Sequence, residues 1–281
     1  MKGRSIAEAL LIFWLLQFIL LFPEGVRDLI RWENRSLGGS YFTGVLMIVL
    51  GIIMIIARHY EFNEMGITAE YWKRSINYGF RGWIFFIIPQ YILSYFLALG
   101  VSYRDNIELA GFLGVLVLLA CFLMATRKEM LQASSSRLII SGLLILSPFI
   151  LIAFVNNAIL SLMKIYVWNI LVGAFAEEFF YRGYLQSSIN LEYGTNWRLG
   201  NIRFGPGLIV SSILYGLSRG LRIIKPWSGI YAISWGWTLY SFTLGIFYGI
   251  IRESSGDIIG SGVANSLIDA VGEGLLYVIN G

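Results

Sequence analysis

Glu177, Glu178 and Arg182 are the residues of this chain best suited to chemistry, because they close a long apolar run, Ile159 to Phe175. A carboxylate at membrane depth is expensive and needs a partner, a cavity or a job. Glu178 and Arg182 are four apart, so on a helix they share a face. Glu177 points about 100° away around the helix and must find its partner on another segment. Two later stretches offer polar groups at the same spacing. Tyr215-Gly216-Leu217-Ser218-Arg219 puts a phenol and a guanidinium on one face, and Ser261-Gly262-Val263-Ala264-Asn265 does so with a hydroxyl and an amide. Asp269 and Glu273 continue the second series, giving the last helix a polar stripe that should face the bundle interior.

Each feature has a plainer reading. Polar side chains also glue membrane helices together, at about 0.6–2 kcal/mol each, and Ser261 or Asn265 singly fit that role. Two adjacent carboxylates cost more than glue requires, so a polar cavity is the expected reason for the Glu177–Glu178 pair. No metal and no cofactor is expected. The one histidine, His59, stands beside Arg58 at a span end, whereas catalytic zinc usually draws on histidine. His59 reads as an interfacial side chain. The serines near the spans lack a histidine base, and Cys121 sits in an apolar run as a packing residue, so nucleophilic catalysis is unsupported.

Composition says what must position these residues. The 281 residues are 57% hydrophobic and 14% charged, with mean hydropathy +0.70, where a soluble domain carries about 25% charged residues. Apolar runs long enough to span a bilayer recur along the chain, predicting an all-α polytopic bundle of about 8–9 transmembrane helices. It reads as one membrane domain over residues 1–281. The expected spans are Ser5–Phe22 (a retained first span, not a cleaved signal), Tyr41–Ala57, Trp83–Val101, Glu108–Thr126, Leu138–Val155, the helix that ends in the two glutamates, Leu208–Leu217, Gly229–Ile251 and Asp257–Ile279. Between them, Glu24–Gly39 reads as a polar hairpin. Arg58 to Arg81, where basic residues alternate with aromatics, reads as an amphipathic helix in the headgroup region. Asn156-Asn157 reads as a turn, and Phe204-Gly205-Pro206-Gly207 as a helix start. Gly245 and Gly249 have the small-xxx-small spacing that lets two helices approach closely. Of the 21 Lys and Arg, the larger share falls on the N-terminal side, predicting a cytoplasmic N-terminus in the cell membrane. No basic cluster stands apart from a span end, which argues against nucleic acid as a partner; membrane lipid is the expected one.

The order Glu-Glu-x-x-x-Arg, Ser-Ser-Ile-Leu-Tyr-Gly-Leu-Ser-Arg, Phe242-x-x-Gly245-x-x-x-Gly249, Ser255-Gly256-Asp257 and Ser-x-x-x-Asn resembles the CAAX-protease and bacteriocin-processing (CPBP, or Abi) family. The likeness covers about residues 170–270; the upstream spans, about 5–155, carry no motif. These are multi-helix intramembrane endopeptidases that cleave prenylated proteins or peptides near the membrane, or serve bacteriocin immunity. The resemblance implies that Glu177 activates water, that Glu178 and Arg182 support it, and that Asn265 stabilises an oxyanion, with Tyr215 and Ser261 facing substrate. It also implies a prenylated or membrane-associated peptide or protein as partner.

Where the family carries its two histidines, this chain has Arg219 and Ser261. Arginine stays protonated, so Arg219 cannot be the base; it can pair with Glu177 and fill the water site, or stabilise an oxyanion. Three function classes follow. One is an endopeptidase with a rearranged site built on Glu177, Arg219 and Asn265. The second is a catalytically silent relative that binds a membrane peptide, lipid or partner protein in an immunity or regulatory role. The third is a transporter with an ion pair in its pathway, which inverted repeats would favour; none is visible.

Overall fold

A computed structural model describes residues 3–100, 106–126, 163–164, 166–225 and 230–280. The expected span Leu138–Val155 and the turn at Asn156-Asn157 lie outside the described residues. The fold is mainly helical, as expected. The helices are α1 (Arg4–Leu21), α2 (Glu24–Leu37), α3 (Tyr41–Ala57), α4 (Trp72–Ala98), α5 (Ile107–Thr126), α6 (168–193), α7 (Pro206–Gly220), α8 (Trp235–Ser255) and α9 (Ile258–Asn280). Two antiparallel ribbons add strands β1 (Trp197–Leu199) with β2 (Ile202–Phe204), and β3 (Leu221–Lys225) with β4 (Ile230–Ile233). Among the described residues, α1 and α5 are long and apolar enough to cross a membrane, and α2 with α3 qualify together as a bent pair.

Four expectations need correction. The stretch Glu24–Gly39 is a helix rather than a polar hairpin. Pro23 leads in, and Gly38, at φ 80°, ends it in the left-handed conformation glycine adopts freely. Arg27, Arg31 and Arg35 form one stripe of α2, while Leu29, Trp32 and Leu37 are left uncovered by protein, the pattern of a helix lying in the headgroup plane. That is the amphipathic helix expected further on. The stretch beginning at Arg58 instead turns at His59 (φ 55°) and runs irregularly to Tyr71. Its second half is the first part of α4, because Ile76, Phe80 and Trp83 continue the apolar face of the span that follows.

The third correction matters most for function. The helix carrying the glutamates does not end there. It runs on without a break to Tyr193, π-helical over Trp168–Gly173 and Phe179–Gln186 and α-helical over Ala174–Glu178 and Ser187–Tyr193. Glu177 therefore stands mid-helix, deep in the bundle. Fourth, the expected span from Gly229 starts only at Trp235, because Ile230–Ile233, rich in β-branched and aromatic residues, pairs with β3.

The core is built from two close helix pairs, α7 on α8 and α4 on α9. In the first, a Cβ added at Gly245 would lie 2.9 Å from Ser212 Cα, and one at Gly249 2.9 Å from Leu208 Cγ, so the Gly245–Gly249 spacing marks a real contact. In the second, a Cβ at Gly79 would lie 2.5 Å from the Gly260 carbonyl. The α9 start is anchored by Asp257, which accepts the Ile259 amide at 3.0 Å and the Ser75 hydroxyl of α4 at 2.6 Å.

The start of α1 is held from a distance. Glu192, at the polar end of α6 beyond the apolar stretch, accepts the Gly3 amide at 2.6 Å and the Ser5 amide at 2.8 Å, the favourable placement of an anion at a helix N-terminus. The Ser5 hydroxyl, and then these amides, hold the Glu192 carboxyl at about 2, well below its ordinary 4.5. The stabilisation is present above pH about 4.5 and lost as pH falls through about 2. Glu192→Gln is expected to remove that acid-side dependence of thermal stability, read as melting temperature in detergent between pH 5 and 2. Gly245→Leu should destabilise the α7–α8 pair by about 1–3 kcal/mol through overpacking, seen as a lowered melting temperature with helicity retained.

Candidate functional site

The site lies where α6, α7 and α9 meet. Glu177 finds the partner its position demands on α7: the Arg219 Nη2 donates to both carboxylate oxygens, at 2.6 and 2.7 Å. Tyr215, one turn earlier on α7, donates its hydroxyl to Glu177 at 3.2 Å and accepts from Arg219 at 3.3 Å. From α9, the Asn265 amide donates to Glu178 at 3.2 Å and lies 3.4 Å from Glu177. Asp269, one turn on, stands 3.5 Å from Arg219. Spacing thus brought Tyr215 and Arg219, and Asn265 and Asp269, onto the faces that meet.

Glu178 and Arg182 form a separate, deeper pair. Both side chains are fully buried, with Arg182 Nε 3.5 Å from Glu178 Oε2. Arg182 also donates to the Gly245 carbonyl at 3.0 Å. Its guanidinium lies over the rings of Tyr215, Tyr248 and Tyr181, at 4.7, 5.5 and 5.9 Å from their centroids. In a site this dry, aromatic faces are the remaining source of negative potential. Ser261 is fully buried and donates to the Ile258 carbonyl of its own helix at 3.2 Å. It lines neither of the two cavities at Arg219.

Those cavities flank Arg219. One, of about 520 Å³, opens between α1, α2 and α3 and has Glu177, Ser218 and Arg219 as its floor. The other, of about 130 Å³, lies toward α4, α8 and α9, lined by Gln90, Tyr215, Asp269 and Glu273 among others. Arg219 is the wall between them and is tied to a carboxylate on each side. Glu273 accepts from Asn169 of α6 at 2.8 Å. No cluster of metal-ligating side chains occurs among the described residues.

Sequence reasoning missed several contributors. Tyr181 and Tyr248 read as core aromatics and nothing in their spacing marks them as a cage. Glu253 of α8 accepts from Gln186 at 2.6 Å and Asn190 at 3.0 Å on α6; the four-residue spacing of Gln186 and Asn190 was the available signal. Arg27 of α2, on the rim of the larger cavity, lay in the stretch read as a polar hairpin.

The π-helical stretch Phe179–Gln186 follows Glu178 directly, and such wide turns recur at functional sites. It moves the Ser187 hydroxyl onto the Arg182 carbonyl, at 3.0 Å. The arrangement can hold a carboxylate beside a guanidinium and an amide at the floor of a cavity, the parts needed to bind a polar group and, given a base, to attack one.

Arg182→Met should leave Glu178 charged and unpaired in the bundle and cost about 3–5 kcal/mol. Adding Glu178→Leu should recover part of that loss, as measured by chemical denaturation in detergent.

Residues 159–271 match the family described as type II CAAX prenyl endopeptidase, Rce1-like. No curated protein and no solved structure matches the chain.

Proposed function

On the footing that residues 159–271 carry an Rce1-like CAAX protease region, as the sequence resemblance implied, we propose that this protein uses an intramembrane-protease scaffold to bind a membrane-embedded ligand without hydrolysing it. The observation that carries the reading is the direct contact of Arg219 with both oxygens of Glu177, at 2.6 and 2.7 Å. A water activated by Glu177 would have to accept a place beside that carboxylate and pass it a proton. The guanidinium occupies the place and stays protonated itself. Ser261, at the other position where the family carries histidine, donates along its own helix.

Binding survives this exchange. Glu177, Ser218 and Arg219 still form the floor of a 520 Å³ cavity, a size within the range of about 300–1,000 Å³ typical of small-molecule sites. The reading takes the protein as an integral protein of the cell membrane with a cytoplasmic N-terminus and about 8–9 crossings. The less apolar helices α4, α6, α7, α8 and α9 cross because their charges face the bundle interior. Prenylated or membrane-associated peptides, partner proteins and lipid are the candidate occupants.

A second reading, an endopeptidase with a rearranged site, is favoured by one observation: Asn265 still reaches both Glu177 and Glu178, where an oxyanion donor would sit. The two readings part on one experiment. The purified protein is expected to leave a panel of farnesylated and geranylgeranylated CAAX peptides uncut. The variant Arg219→His with Ser261→His is expected to gain cleavage that Glu177→Ala removes. Cleavage by the unaltered protein, abolished by Glu177→Ala, would overturn the non-hydrolytic reading.

A further inference from the structure

The larger of the two cavities at Arg219 has a neighbour across α1. Gln17 and Leu21 of α1 line it on one side, and the same two residues line a third cavity of about 590 Å³ on the other. This third space is almost wholly apolar, a groove between α1 and the β3–β4 ribbon walled by Trp14, Phe18, Phe22, Leu221 and Ile233. Trp14 and Phe18 are more than half exposed, so the groove opens sideways toward the bilayer and a hydrocarbon chain can enter it without crossing water. Two compartments, one polar and one apolar, therefore share a wall.

At the rim of the polar compartment stand Arg27 and Arg31 of the headgroup-plane helix α2. Arg31 is held by Asp28 at 2.5 Å. Arg27 is different. Among the described residues its buried Nε has no hydrogen-bond partner. The third cation of the cavity, Arg219, is already neutralised by Glu177 and Asp269. Of the described cations lining this cavity, Arg27 is the guanidinium left without a carboxylate, half-buried, on the helix whose pattern is interfacial. A desolvated guanidinium with a free donor edge calls for an oxyanion, and phosphate suits its fork geometry.

From this juxtaposition we propose that the joined cavities hold one phospholipid with a net negative headgroup. Its phosphate sits against Arg27, and an acyl chain runs past Gln17 and Leu21 into the groove beside Trp14 and Phe18. The inference rests on the non-hydrolytic reading, since the lipid headgroup would lie over the entry to Glu177. It adds the chemical class of the occupant. A zwitterionic lipid fits less well because its ammonium would share the rim with Arg27 and Arg31. A prenyl chain would fill the groove but brings no phosphate to Arg27.

The test is native mass spectrometry of the full chain in detergent, titrated with phosphatidylglycerol or phosphatidylcholine of matched chains. Phosphatidylglycerol is expected to be retained preferentially. Arg27→Gln should weaken its retention about fivefold, the equivalent of about 1 kcal/mol for one arginine at a lipid surface, and weaken that of phosphatidylcholine, whose ammonium already opposes the rim arginines, by less. Ile233→Trp, which fills the groove from its lipid-facing side, should lower retention of both lipids. Circular dichroism and melting temperature of both variants serve as the check on folding. Equal retention of the two lipids, or an Arg27→Gln protein that folds and keeps its preference, would overturn the lipid site. A farnesylated peptide that displaces phosphatidylglycerol uncut, with Arg27→Gln without effect on either, would also overturn it while sparing the non-hydrolytic reading. Hydrolysis of that peptide by the unaltered protein would sink the reading itself.

Discussion

The constraint on which the rest depends is the burial of Arg182. A guanidinium without water must be satisfied by the protein on every side, or the cost runs to several kcal/mol. The structure meets part of that demand with one carboxylate, one carbonyl and three tyrosine faces, while Nε and Nη1 make no hydrogen bond among the described residues. The contributors come from three helices. Glu178 and Tyr181 come from α6 itself, Tyr215 from α7, and Tyr248 and the Gly245 carbonyl from α8. Gly245 thus serves twice, its carbonyl accepting from Arg182 and its bare Cα lying against Ser212 of α7. A rigid Arg182 fixes Glu178, which fixes Asn265 of α9. Only then is the neighbouring Glu177 free to face a cavity.

Much of the site was legible because it is written in four-residue spacings. Glu178 with Arg182, Tyr215 with Arg219, and Asn265 with Asp269 all lie on shared helical faces, and the faces meet. The fold was harder to read wherever apolar content did not discriminate between shapes. Ile230–Ile233 is as apolar as a span start, yet its β-branched and aromatic residues pair with β3. The polar stretch Glu24–Gly39 gave no apolar run to detect, although Arg27, Arg31 and Arg35 already carried the periodicity of a helix. The continuation of α6 past Glu178 was hidden for a related reason: charge looked like an exit from the membrane. Hydrogen bonds from Gln186 and Asn190 to Glu253 let the polar segment continue the helix within the bundle instead.

Arg219 changes what the same geometry can do. A histidine in that place would share a proton with Glu177 and release it near neutral pH. Arginine cannot, and its planar fork makes a contact that is hard to open. It also reaches Asp269 at 3.5 Å, so the residue that blocks one cavity is anchored from the other. Two carboxylates holding one guanidinium favour a fixed wall over a mobile electrophile. The substitution of a single side chain thus converts a place for water into a partition.

That partition gives α1 its importance. With the inner end of the large cavity closed by Glu177 and Arg219, access is decided by the helix that separates it from the lipid-facing groove. α1 is apolar along its length, but its N-terminal half is tied by charge. Glu192 holds the Gly3 and Ser5 amides, and Glu8 receives Arg58 from the end of α3, with one contact at 2.8 Å. These ties fix the N-terminal half. The half that lines the cavities, from Trp14 to Leu21, is held by packing and by the turn into α2. Gln17 and Leu21 of that half line both cavities. Charge pairs bound the large cavity on one side, and an apolar helix face bounds it on the other.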